Sequence, residues 1–175
     1  MEVFLLRNFS ARPIIFAGLF IALTILFTYV FSIQTPFVRL SFGFLPLAVY
    51  GAMFGALPCG LAAVAADLLG SLLFFPGMFF PGFTLSSFLS GMAYGHFLHG
   101  HDVSLRQICI PFILIFVFVD LLLNTLWLTL LYNQAAAAFF TARFIKGALC
   151  LPLQILLFCS VYKPLAIFIP RLNIK

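Results

Sequence analysis

Two carboxylates, Asp67 and Asp120, sit inside long apolar runs, and Arg39, Arg143 and Lys146 flank such runs. An ionisable group at membrane depth is costly unless it is paired, so each such residue is a candidate for function. Arg39, Arg143 and Lys146 together define a cationic rim able to receive an anionic solute. Lys146 and Arg143 have an alternative role, anchoring a helix end while their heads reach for water. Asp120, Asn124 and Trp127 recur at spacings of four and three, which places them on one face of a helix. A face with hydrogen-bonding groups and one flat ring suits a planar heteroaromatic ligand held between helices, because ligand pockets are mainly apolar with a few placed polar groups. The competing role pairs Asn124 with a neighbouring helix and sets Trp127 in the interfacial belt. Asp67, in ADLLG, is either a ligand contact or a brace between helices.

Other constellations carry less. His96, His99 and His101 have Asp102 as the only nearby residue to complete a ligand set, and they fall in a polar helix-end segment, so no metal is assigned. No Ser-His-Asp arrangement, HExxH, GxSxG or Walker sequence occurs, which argues against catalysis, a cofactor or ATP use by this chain itself. Cys59, Cys109, Cys150 and Cys159 lie in apolar runs without a CxxC pair, and read as small buried hydrophobes.

The elements that position these residues follow from composition. The chain has 175 residues, 65% hydrophobic and 7% charged, far from the roughly 25% charged residues of a soluble domain. Only a bilayer can cover that much apolar surface, and a helix needs about 20 apolar residues to cross it. The expected fold is an all-α integral membrane bundle of six transmembrane helices in a single domain, at about 13–33, 42–57, 60–76, 83–97, 108–132 and 140–162. Pro58 and Gly60 divide the second span from the third, and PGMFFPGF (76–83) ends the third. The run GAMFGALPCGLAAVAA (51–66) is dense in small residues that allow helices to approach closely.

The net charge of +5 is scattered rather than clustered, so no nucleic-acid partner is expected. Arg7, Arg12, Arg106, Lys163, Arg171 and Lys175 flank one side of the expected spans, and only Arg39, Arg143 and Lys146 flank the other. The bias toward cytoplasmic Lys and Arg places both the N- and C-termini in the cytoplasm.

The stretch VRLSFGFLPLAVYGAMFGALPCGLAAVAADLLGSLLFFPG (38–77), followed by FFPGFTLSSFLSGMAYG (79–95), NTLWLTLLY (124–132) and ARFIKGALCLPLQ (142–154), resembles the substrate-binding S components of energy-coupling factor (ECF) vitamin transporters, the folate-specific subgroup above all. The likeness covers most of the chain, and PGFTLS with RxIK is its most specific combination. It implies a bacterial plasma-membrane protein that binds folate or a related vitamin from outside, with loops one, three and five and helices four to six. It implies no enzyme. The glutamyl carboxylates would meet Arg39, Arg143 or Lys146, and the pterin would lie against Trp127 and Phe rings such as Phe42, Phe44 and Phe83. The partners implied are a membrane T component and two ABC ATPases. The family's Ala-xxx-Ala pattern in helix one is replaced here by Gly18 and Ala22, which keep the small-xxx-small chemistry for docking. Riboflavin, thiamine and pantothenate are the alternative vitamins.

Overall fold

The computed structural model describes residues 11–34, 39–74, 79–100, 105–132 and 136–168. Helix α1 (Ala11–Ile25) runs directly into a π-helical turn, Leu26–Val30. A short antiparallel ribbon follows, β1 (Ser32–Gln34) paired with β2 (Arg39–Ser41), with Ser32 opposite Ser41 and Gln34 opposite Arg39. Then come α2 (Phe44–Phe54), α3 (Ala56–Phe74) and α4 (Pro81–Leu98). Helix α5 is built from Leu105–Leu114, a nine-residue π-helical run Ile115–Leu123, and Asn124–Tyr132. Helix α6 is Ala136–Phe168, 33 residues that pass through Pro152 and Pro164.

Regular structure among the described residues is helical apart from the two three-residue ribbon strands. Among the described residues, Ala56–Phe74, Gln107–Leu131 and Arg143–Tyr162 are long and apolar enough to cross a membrane, with shorter apolar helices at Ile14–Val30 and Phe44–Phe54. Large apolar side chains stand outward, with Ile15 and Leu72 each 72% exposed and Leu149 71%. In hydrocarbon such a surface needs no burial.

Several boundaries depart from the sequence expectation. The break between the second and third helices falls at Gly55, which adopts φ 89° and ψ −174° while its N–H bonds to the Gly51 carbonyl at 2.9 Å. Such a backbone favours glycine. Pro58 instead sits in the first turn of α3, where a backbone N–H would have no intrahelical partner, so its ring does no harm. Pro81 likewise opens α4 rather than ending the preceding segment. The last helix continues past Pro164, since helices in membranes tolerate proline when neighbours re-satisfy the freed carbonyl.

The small residues of α3 and α4 meet at backbone distance. A Cβ on Gly91 would stand 2.7 Å from the Cys59 carbonyl oxygen and 2.9 Å from Gly60 Cα, and a Cβ on Gly95 would overlap the backbone of Gly55 and Ala56. Gly18, in contrast, faces open space. Overpacking of this kind costs about 1–3 kcal/mol, so Gly95→Ala should lower the unfolding midpoint by about 3–10 °C. Gly18→Ala, with room for its methyl and a better helix former, should not lower it. Equal midpoints for the two variants in detergent would show that the α3–α4 contact is looser than described.

Packing is uneven along the bundle. One half is filled by aromatic side chains: Tyr94 and Phe112 meet at 5.2 Å, Phe112 and Phe158 at 5.5 Å, and Phe158 and Tyr162 at 5.1 Å between ring centroids. Tyr50, Cys59 and Phe158 are fully buried there. The opposite half, toward the ribbon, is hollow.

Candidate functional site

The hollow is a cavity of about 1130 Å³. Tyr94 and Phe112 carry the aromatic core up to it, and its lining comes from α1, the ribbon and all five further helices, α2 to α6. Both π-helical runs border it, with Tyr29 in the first and Phe116, Val119 and Asp120 in the second. A π turn widens the helix and shifts the face it presents, which is why such turns recur at functional sites.

The structure brings most of the sequence-derived candidates to this cavity: Phe42, Phe44, Asp67, Phe83, Asp120, Asn124, Arg143 and Lys146 all line it. Asn124 Nδ2 donates to Asp120 Oδ1 at 3.1 Å, joining two members of the expected α5 face. From α6, Arg143 Nη1 donates to the Asp120 carbonyl oxygen at 3.4 Å and lies 3.9 Å from Asp120 Oδ1. The Arg143 side chain is only 14% exposed, against 40% for Asp120. Its Nε is buried without a hydrogen-bond partner, as is Asn124 Oδ1. A buried guanidinium with long, sparse bonds is under-satisfied, and a desolvated charge of that kind is costly until an anion reaches it. Lys146, three residues on, places a second cation at the same wall.

Asp67 is a brace between helices that also reaches the cavity: its Oδ2 accepts from Thr84 Oγ1 at 2.8 Å, joining α3 to α4. Phe44 packs edge-on to Phe112 at 5.8 Å and Phe83 edge-on to Phe80 at 5.8 Å, so aromatic surface continues from the core into the walls.

Trp127 is not brought to the lining. It stands behind it, its Nε1 donating to Ser86 Oγ at 3.1 Å and its ring 5.8 Å from Phe80. Both Asn124 and Trp127 lie in the regular helical segment Asn124–Tyr132, where a spacing of three leaves an offset of about 60°, enough to turn Trp127 from the cavity toward α4. Arg39 is placed only by its backbone in β2; its side chain lies outside what the structure describes. Gly18 and Ala22 are exposed on α1, four residues apart on its outer side.

The histidines have a different occupation. His99 shares a 3.0 Å hydrogen bond between Nδ1 and the Ala52 carbonyl oxygen and covers the Gly55 turn, whereas His101 and Asp102 lie outside the described residues. Among the described residues no three His, Cys, Asp or Glu side chains are grouped to hold a metal. Residues that sequence reasoning passed over include Ser41, Phe80, Ser86 and Ser90, which also line the cavity. The signal was present for α4: Thr84, Ser86, Ser87 and Ser90 cluster as polar residues in the first half of a largely apolar helix.

A membrane-embedded helical bundle, closed on one half by an aromatic core and open on the other around an apolar cavity with a cationic wall, is a small-molecule-binding membrane protein. The chain belongs to the substrate-specific components of ECF transporters, whose family model matches residues 12–162. Similar proteins include the folate transporter FolT of Clostridium novyi (strain NT), 38% identical over 154 residues that cover 88% of this chain and 90% of that one. The folate transporter FolT of Leuconostoc mesenteroides subsp. mesenteroides is 28% identical over 130 residues, 71% of this chain and 70% of that protein. Among solved structures, FolT bound with folic acid superposes with a TM-score of 0.83 at 32% identity, covering 87% of this chain and 93% of that one. The chain is therefore a transport component rather than an enzyme.

Proposed function

We propose that this chain is the folate-binding S component of an ECF importer in the bacterial plasma membrane. The observation that carries the reading is the buried, under-satisfied Arg143 beside Lys146, set at one wall of a cavity whose other surfaces are largely aromatic. A ligand that matches has a carboxylate at one end and a flat ring at the other, as folate has. In this reading the carboxylates meet Arg143 and Lys146, with Arg39 at the rim, and the pterin lies among Phe42, Phe44, Phe80 and Phe83. Asp67, Asp120 and Asn124 supply polar contacts. Trp127 supports the wall from behind.

The chain does not bind or hydrolyse ATP in this scheme. A T component and two ABC ATPases supply the energy, docking on the exposed face of α1 that presents Gly18 and Ala22. The bundle crosses the membrane six times with both termini in the cytoplasm, in accord with the Lys and Arg bias. The test is direct: protein purified from a folate-containing culture should carry a pterin absorbance and the mass of a folate, and the emptied protein should bind folic acid in calorimetry. Co-purification of riboflavin, thiamine or pantothenate instead would keep the family and overturn the vitamin.

Sidedness is checked by labelling. Above the background of the four native cysteines, Gln34→Cys should react with an impermeant maleimide on intact cells. Asp102→Cys should react only after permeabilisation. The reverse pattern would invert the proposed topology.

A further inference from the structure

The hydroxyls along the helices mostly settle on their own backbone. Ser90 Oγ donates to the Ser86 carbonyl at 2.9 Å, Thr24 Oγ1 to Phe20 at 2.7 Å, and Thr129 Oγ1 to Thr125 at 2.9 Å. Ser86 departs from this pattern. It is 4% exposed and lines the cavity, and its oxygen accepts the indole N–H of Trp127 at 3.1 Å. An indole nitrogen can only donate, so one lone pair of Ser86 Oγ is committed. Among the described residues, the hydroxyl proton of Ser86 has no acceptor of its own. A buried donor of this kind is costly to leave unmade, and the cavity is where an acceptor can arrive.

Building on the folate reading above, we propose that Ser86 is a specificity-determining hydrogen-bond donor to a carbonyl-type acceptor on the ring system of the ligand, and that Trp127 is the positioning residue that fixes its direction. The ring of Trp127 is kept behind the wall by Phe80, so its contribution reaches the ligand through the serine rather than by stacking. Other cavity groups are committed or are acceptors: Asp67 is an acceptor engaged by Thr84, Ser90 has given its proton to the Ser86 carbonyl, and Asn124 keeps a carbonyl oxygen without a partner. A ring that offers N–H groups and one carbonyl oxygen suits this wall. A ring with an amino group in place of that carbonyl can reach only the second lone pair of Ser86 Oγ and leaves the buried hydroxyl proton without an acceptor.

The experiment compares folic acid, which carries a 4-oxo group, with its 4-amino counterpart aminopterin, both titrated into the purified full chain. Wild-type protein should prefer folic acid. Ser86→Ala should bind folic acid about tenfold more weakly and aminopterin nearly unchanged, removing the preference. Trp127→Phe, which keeps a ring but loses the N–H, should narrow the preference in the same direction by about threefold. The double variant should be no worse than Ser86→Ala alone, because the two residues act as one unit. Ser86→Thr, which keeps the hydroxyl, should retain discrimination. A preference that stays equal in wild type and Ser86→Ala, or losses that fall equally on both ligands, would overturn the donor role while leaving folate binding intact. Binding of neither compound by the wild type would overturn the folate reading and this proposal together.

Discussion

Arg143→Ala is expected to weaken folate binding by about thirtyfold or more, corresponding to a loss of about 2 kcal/mol, at the lower end of what truncating one member of a buried charge pair costs. Burial sets the size of the effect. An exposed ion pair contributes only about 0–1 kcal/mol, but the Arg143 side chain is 14% exposed and its Nε has no partner. Its bonds to Asp120, at 3.4 and 3.9 Å, are long, so the resting protein loses little when they go. The arriving carboxylate loses the two-pronged contact that a guanidinium offers. Arg143→Lys should recover part of the affinity, since a point charge cannot reproduce the fork. Calorimetry on the purified variants decides the matter: an Arg143→Ala protein that folds normally and binds folic acid with wild-type affinity removes this residue from the ligand site.

The second large effect is on coupling. Gly18→Trp or Ala22→Trp should abolish uptake while leaving folic acid affinity within about twofold of wild type, because mutations at distant sites without shared partners behave independently. Gly18 has open space where a side chain would begin, so an indole there does not disturb the bundle of the isolated protein. It does keep another helix at a distance. Helices in hydrocarbon associate through close backbone approach, and small residues four apart provide it. Affinity purification of the assembled importer should recover little T component or ATPase with these variants. Recovery of the intact complex together with normal uptake would show that the energising partner docks elsewhere.

The all-helical membrane character was legible in the sequence because long hydrophobic runs report on it without reference to tertiary contacts. The placement of Asp120 beside Asn124 was also legible, since spacing by four on one helix is enough. Gly55 was harder to see. Pro58 is the louder signal three residues away, and only the backbone shows that the proline lies in a helix's tolerant first turn while the glycine makes the bend. Trp127 shows the other limit. Its spacing of three from Asn124 leaves an offset of about 60° on the helix, and only the Ser86 hydroxyl and the Phe80 ring across the groove decide that this offset takes the indole out of the lining. Ser86 was passed over for a related reason: a serine on an apolar helix gains its meaning from the indole across the groove, which is a fact of packing.

The loosely wound π-helical run Ile115–Leu123 works as a phase adjuster. Each residue added to or removed from a helix turns everything beyond it by about 100° relative to everything before it. Leu105–Leu114 is locked by the packing of Phe112 against Tyr94 and Phe158, and Asn124–Tyr132 is pinned at its own end by Trp127 on Ser86. The stretch between them sets the angular offset between two keyed halves of one shaft. Deleting a single residue there would leave the anchored core half where it is and swing Asn124 and Trp127 away from their partners. Ligand recognition in this bundle is thus indexed by a count of residues as well as by their kinds.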